Sequence, residues 1–150
     1  MLDYTEEIRK RSPFIRLLGL SIEKLEHDHC QSRLEIKDSF LNKHKVVHGG
    51  VIYSIADISM GVTVYSAINK DEETATIEIK INYLKPANAK ILICDAQIIQ
   101  KGKNVAVLEA EIKADDILVA KALGTFSIFK TKDGIVPLSD GMMQKRRNHI

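Results

Sequence analysis

A chain of 150 residues is the size of one domain and can bury a core without disulfide or metal staples. Its 22 basic and 20 acidic residues leave a net charge of +2, with 5 % aromatics and no Trp, so no basic surface or base-stacking platform for nucleic acid is indicated. Cys30 and Cys94 form no CxxC or Cys/His ligand spacing and read as reduced, buried thiols.

The N-terminus, Met1-Leu2-Asp3-Tyr4-Thr5-Glu6-Glu7, has an early acidic pair and no apolar run. No signal peptide is expected there, and a soluble, cytoplasmic protein is. Residues 3–19 read as an irregular or short helical lead-in interrupted by Pro13. Two strands follow, Leu20–Leu25 and Ser32–Lys37, the second alternating at period two, with His27-Asp28-His29 as the turn. A polar loop from Asp38 to Val47 leads to His48-Gly49-Gly50.

The segment from Gly50 to Ile68 is apolar on nearly every side, and Asp57 is its lone charge. A helix hydrophobic all round belongs in a core. An ionised side chain there is expensive unless it is paired, hydrogen-bonded or put to use, which singles out Asp57. A membrane span is disfavoured, because an Asp at mid-bilayer costs about 2.5–3.5 kcal/mol.

Beyond the helix the pattern is all strand. Ala75, Ile77, Ile79, Ile81 and Tyr83 are expected on one face of the next strand, with Thr74, Thr76, Glu78, Lys80 and Asn82 on the other. Ile91–Gln100 and Asn104–Lys113 form a hairpin across Lys101-Gly102-Lys103, and Asp115-Asp116 turns into a last strand, Ile117–Phe129. Residues 131–150, with the basic run Lys145-Arg146-Arg147, read as a flexible tail behind a domain covering residues 1–130. The order predicts an α+β domain whose antiparallel sheet of about six strands curls around one long buried helix. One sheet covers only part of such a helix, so a homodimer is expected to close the rest.

Gly49 and Gly50 place a backbone without side chains at the helix entry, where free N–H groups and the positive end of the helix dipole bind anions or polarise carbonyls. The plainer reading is a tight turn into the helix. His48, at the same entry, suits a local hydrogen bond better than service as a base. Asp57 lies seven residues past Gly50, on nearly the same helix face but about 10 Å further along. An oxyanion donor and an attacking group must both sit about 3 Å from the reacting atom. One helix cannot meet that, whereas two antiparallel helices across a dimer axis can pair one chain's glycine with the other's aspartate. His27, His29, His44 and His149 show no metal-ligand spacing with carboxylates.

Asn42-x5-His48-Gly49-Gly50-x6-Asp57, a strand carrying Thr76, and the run Asn82-Tyr83-Leu84-Lys85-Pro86 together resemble the hotdog-fold thioesterases of the phenylacetyl-CoA (PaaI) type, from about Pro13 to Lys130. The resemblance implies hydrolysis of an acyl-CoA to a free acid and CoA, with no cofactor or metal. It makes Asp57 the nucleophile or the general base that activates water, and the Gly49 N–H the group that polarises the thioester carbonyl. Asn42 would orient the carbonyl or the water, and Thr76 would position the water near Asp57. It places the Asn/Gly half and the Asp/Thr half on different subunits of a homodimer, with dimers free to pair into tetramers. Gly50 would line the substrate site, while Lys85 and the Lys101-Gly102-Lys103 turn, with Arg33, would meet the CoA phosphates. By period two Thr76 lies on the polar strand face, opposite Ala75 and Ile77, and reaches such a site only if that face, or a bulge, borders the dimer partner. A non-catalytic acyl-CoA-binding module is the alternative, and a hotdog dehydratase or hydratase ranks last because this helix holds no His.

Overall fold

The computed structural model describes residues 4–131. Two short helices come first, α1 (Tyr4–Arg11) and α2 (Pro13–Leu18). Ser12 caps α2 by accepting from the Ile15 N–H at 3.3 Å, and Gly19 ends it in the left-handed region at φ 75°. This lead-in is docked on the sheet. Arg9 donates to the Leu20 and Gly19 carbonyls at 2.9 and 2.6 Å, and the Thr5 hydroxyl accepts from the Ile22 N–H at 2.8 Å.

The strands β1 (Ser21–Glu26) and β2 (His29–Glu35) form the first hairpin, and a single 3-10 turn at Asp38–Phe40 leads into the loop before α3 (Gly49–Tyr65). Then come β3 (Glu72–Tyr83), β4 (Ile91–Lys101), β5 (Val105–Ala114) and β6 (Ile117–Lys130). All six strands pair antiparallel in the order β1-β2-β4-β5-β6-β3. This is the expected α+β arrangement of one helix on one antiparallel sheet. The expected tail lies outside the described residues except for Thr131.

Alternation builds the core. Leu92, Cys94 and Ala96 of β4 and Ala106, Leu108, Ala110 and Ile112 of β5 are fully buried, as are Ile55, Ala56 and Met60 of α3. Each large side chain so buried contributes about 1.5–3 kcal/mol. Small residues let the helix sit close. A Cβ on Gly124 of β6 would lie 3.0 Å from both Met60 Sδ and the Phe126 ring. The buried hydroxyls of α3 are satisfied internally, Ser59 donating to the Ile55 carbonyl at 2.6 Å and Thr63 to the Ser59 carbonyl at 2.7 Å. Ser59 also meets Ser32 of β2 at 2.5 Å.

The helix is not covered on every side. Gly50, Tyr53, Asp57, Ile58 and Gly61 recur at helical spacing along a stripe that the sheet leaves open or half-open. Among the described residues no helix is long and apolar enough to cross a membrane.

Candidate active site

The site begins with a β-bulge. The β3–β6 register runs in step to Thr76↔Phe126 and resumes at Glu78↔Thr125, leaving Ile77 without a cross-strand partner. One extra residue inverts the alternation of everything beyond it. Before the bulge Thr74 and Thr76 face α3, while after it Ile79 and Ile81 pack on the core and Tyr83 reaches the helix entry. Ile77 itself is 56 % exposed. The strict alternation expected from the sequence is thus corrected, and Thr76 is free to meet the helix.

It does so at Asp57. Thr76 Oγ1 donates to Asp57 Oδ1 at 2.7 Å, and both residues line a cavity of about 290 Å³. The rest of the lining is mostly apolar, from Ile58 and Val62 of α3, Phe126 of β6, and Ile8 and Ile15 of α1 and α2, with Arg11 and Ser12 at the helix junction. Arg11 is paired with Glu7 at 3.3 Å. The lead-in is therefore one wall of the pocket, a role its sequence did not announce.

The second group of residues gathers at the other end of α3. His48 caps the helix, its Nδ1 accepting from the Gly50 N–H at 2.8 Å, so in this network the ring proton sits on Nε2. That bond occupies the Gly50 donor. The Gly49 N–H, by contrast, meets no acceptor among the described residues. The Gly49 carbonyl accepts from the Tyr83 hydroxyl at 2.9 Å, and a Cβ on Gly49 would lie 3.3 Å from the Tyr83 ring. Burial, and secondarily Tyr53, hold the Tyr83 phenol above its ordinary pKa. Asn42 shapes the loop in front of the helix, its Oδ1 accepting from the N–H groups of His44 at 2.8 Å and Val46 at 3.4 Å. Its amide NH₂ is the group left to donate.

These two groups do not meet within one chain. Gly49 and Asp57 lie eight residues apart in α3, about 12 Å along the axis. The basic candidates divide the same way. Lys85 follows Tyr83, at the Gly49 end, where its N–H donates to the Val119 carbonyl at 3.3 Å. The exposed Lys101-Gly102-Lys103 turn shares a cross-strand row with Thr76, through Phe126 and Ala106, and so lies three strands away, about 14 Å. Arg33, on β2, pairs with Glu35 at 3.1 Å. Among the described residues no cluster of three or more His, Cys, Asp or Glu is placed to hold a metal ion.

Two neighbours of the predicted residues were missed. Tyr83 carries no expected role in the sequence, and period two puts Thr74 on the strand face opposite Ala75 and Ile77. The signal for Thr74 was the bulge, which no periodicity reports.

The family model of the Thioesterase superfamily matches residues 44–121. The protein SSO2140 of Saccharolobus solfataricus is 34 % identical over 129 residues, covering 85 % of this chain and 91 % of its own. The medium/long-chain acyl-CoA thioesterase YigI of Escherichia coli K12 is 26 % identical, over 77 % of this chain and 85 % of its own. Among solved structures, a phenylacetic acid degradation-related protein of Ralstonia eutropha JMP134 superposes with a TM-score of 0.75 at 25 % identity, over 83 % of this chain and 98 % of its own.

Proposed function

The chain belongs to the thioesterase superfamily, and from that premise we propose that it hydrolyses acyl-CoA thioesters at a site shared between two subunits. The observation that carries this reading is the Asp57–Thr76 pair at an apolar cavity, with the free Gly49 N–H about 12 Å up the same helix. Asp57 acts as general base or nucleophile. As a base, its carboxylate takes a proton from water while the water oxygen attacks the thioester carbon. The carbonyl electron pair moves onto oxygen, held by the Gly49 N–H of the facing chain. Collapse of the tetrahedral adduct re-forms the carbonyl and breaks the C–S bond, and the CoA thiolate takes the proton back from Asp57. As a nucleophile, Asp57 would displace the thiolate itself and water would then open the mixed anhydride. Neither route calls for a cofactor.

The parts have adequate strength. A positioned base contributes about 10²–10⁴-fold, and one oxyanion donor about 10²–10³-fold. Thr76 orients the carboxylate, and Asn42 Nδ2 orients the water or the carbonyl. His48 serves by capping α3, which aligns the Gly49 N–H beside it.

The homodimer is supported by two unsatisfied features. Among the described residues β3 is a twelve-residue edge strand with no neighbour on its outer side, and α3 has an open stripe next to it. An uncovered edge of that length is a template for pairing with a second copy. Two-fold pairing there sets the helices antiparallel and brings each Asp57 toward the partner's Gly49. It also brings Lys85 of one subunit toward the Lys101-Gly102-Lys103 end of the other, a setting for CoA phosphates. The buried free thiols suit the cytoplasmic location that the reading includes.

The test is release of free thiol from a broad acyl-CoA panel, repeated with Asp57→Ala. The expected result is turnover that Asp57→Ala lowers at least about a hundredfold, with the dimer intact by sedimentation. Tight acyl-CoA binding without thiol release, or full activity in Asp57→Ala, would sink the reading.

A further inference from the structure

Gly61 stands in the interior of α3, where glycine weakens a helix relative to alanine. Nothing in the fold demands it there. Among the described glycines only Gly19 has a left-handed φ, so the backbone does not call for glycine at 61. Outside its own stretch of helix, a Cβ built on Gly61 meets one heavy atom within 4 Å, in the Phe126 ring at 3.8 Å, which is an ordinary contact. Gly124 is the contrast, since a Cβ there would lie 3.0 Å from Met60 Sδ and the same ring.

The open space at Gly61 belongs to the cavity of Asp57 and Thr76, which Gly61 itself lines. It lies one helical turn past Asp57, on the same face and about 6 Å along the axis. Tyr65 lines the same cavity one further turn on. The cavity thus runs about 12 Å along α3, from the carboxylate past a bare Cα to the Tyr65 ring. Val62, Phe126, Ile8 and Ile15 make its other walls hydrocarbon. Its volume of about 290 Å³ accepts on the order of ten water-sized groups. We propose that Gly61 is a specificity-determining residue, whose missing side chain is the passage by which a straight acyl chain runs from the thioester carbonyl at Asp57 toward Tyr65. A side chain at position 61 closes that passage one turn beyond the reacting atoms and leaves room for short acyl groups alone. The proposal rests on the reading of Asp57 and Thr76 as the reacting centre.

The test uses the full chain and straight-chain acyl-CoAs from acetyl to decanoyl, with wild type, Gly61→Ala and Gly61→Val. The ratio of kcat/KM for decanoyl-CoA to that for butyryl-CoA should fall about tenfold in Gly61→Ala, the effect of one methyl-sized group in an apolar pocket. It should fall further in Gly61→Val. Gly61→Ala should at the same time raise the urea midpoint and keep the wild-type oligomeric state by sedimentation. An unchanged ratio in both variants, or an equal loss at every chain length, overturns the proposal. A lower urea midpoint or a dissociated oligomer in Gly61→Ala also overturns it, because packing or contact between subunits then accounts for the glycine. If no thioester in the series is cleaved, it is the hydrolytic reading that fails. Calorimetry with decanoyl-CoA and butyryl-CoA then decides for Gly61. Binding of decanoyl-CoA alone weakened about tenfold in Gly61→Ala supports the proposal, and unchanged Kd values overturn it.

Discussion

Thr76 reaches Asp57 at 2.7 Å only because Ile77, between Thr76 and the resumed register at Glu78, is an extra residue in β3. The hydroxyl spends its one proton on Oδ1, which fixes the carboxylate plane and leaves Oδ2 for a water or a carbonyl carbon. A hydrogen bond to a charged group is worth about 1.5–3 kcal/mol. Thr76→Val should therefore lower kcat by about 10–100-fold with a smaller change in KM, and Thr76→Ser should restore most of it. Steady-state kinetics on the best acyl-CoA checks this, and an unchanged kcat in Thr76→Val would remove Thr76 from the mechanism.

Gly124 sets how closely α3 approaches β6. An added methyl group meets Met60 Sδ and the Phe126 ring at 3.0 Å, and both side chains are fully buried or nearly so. Gly124→Ala should destabilise the fold by about 1–3 kcal/mol, the usual cost of overpacking. Met60→Ala in the same chain should recover part of that loss, since it vacates the contested space. Urea titrations of the single and double variants measure the coupling, and additive effects would show that the two residues do not compete.

The sequence revealed the elements wherever one pattern decided them. Clean alternation at Leu92, Cys94 and Ala96 and along β5 marked the sheet, and the lone charge at Asp57 pointed to the candidate site. Three features escaped because each depends on partners distant in sequence. The bulge at Ile77 exists only against β6, and it moved Thr74 and Thr76 to the helix side. Residues 4–18 became a pocket wall through Arg9 and Thr5, whose bonds go to β1 and its approach. The expectation that α3 is apolar all round was right in composition, yet burial is uneven because the sheet ends at β3.

Cys30 and Cys94 are free and buried, and burial raises both thiol pKa values, that of Cys94 from 9.0 to about 12. Thiolate is the reactive form, so both should resist a disulfide reagent at neutral pH in the native protein and react at once in denaturant. The shift also has a sign for stability. Above about pH 9 the unfolded chain gives up a Cys94 proton that the folded chain keeps until about 12, so this residue's contribution falls across that window. Urea midpoints should therefore fall more steeply between those two pH values for wild type than for Cys94→Ala. Equal slopes would show that the thiol is not held protonated by the fold.

The proposed shared site makes its strongest prediction through a backbone donor. Gly49 is the first residue of α3, where proline is favoured, and His48 before it has φ −61° and ψ 136°, which proline accepts. Gly49→Pro removes the one N–H in question and leaves the helix its start. It should cost about 10²–10³-fold in kcat. Gly49→Ala puts the same Cβ 3.3 Å from the Tyr83 ring but keeps the N–H, and so controls for that contact. Each inactive chain then carries one intact half-site, Asp57→Ala the glycine half and Gly49→Pro the aspartate half. Unfolded together in equal amounts and refolded, half the dimers are mixed, and each mixed dimer holds one complete site, so activity should return to about a quarter of wild type. If glycine and aspartate of the same chain formed the site, mixing would restore nothing, because every chain would lack one half of its own.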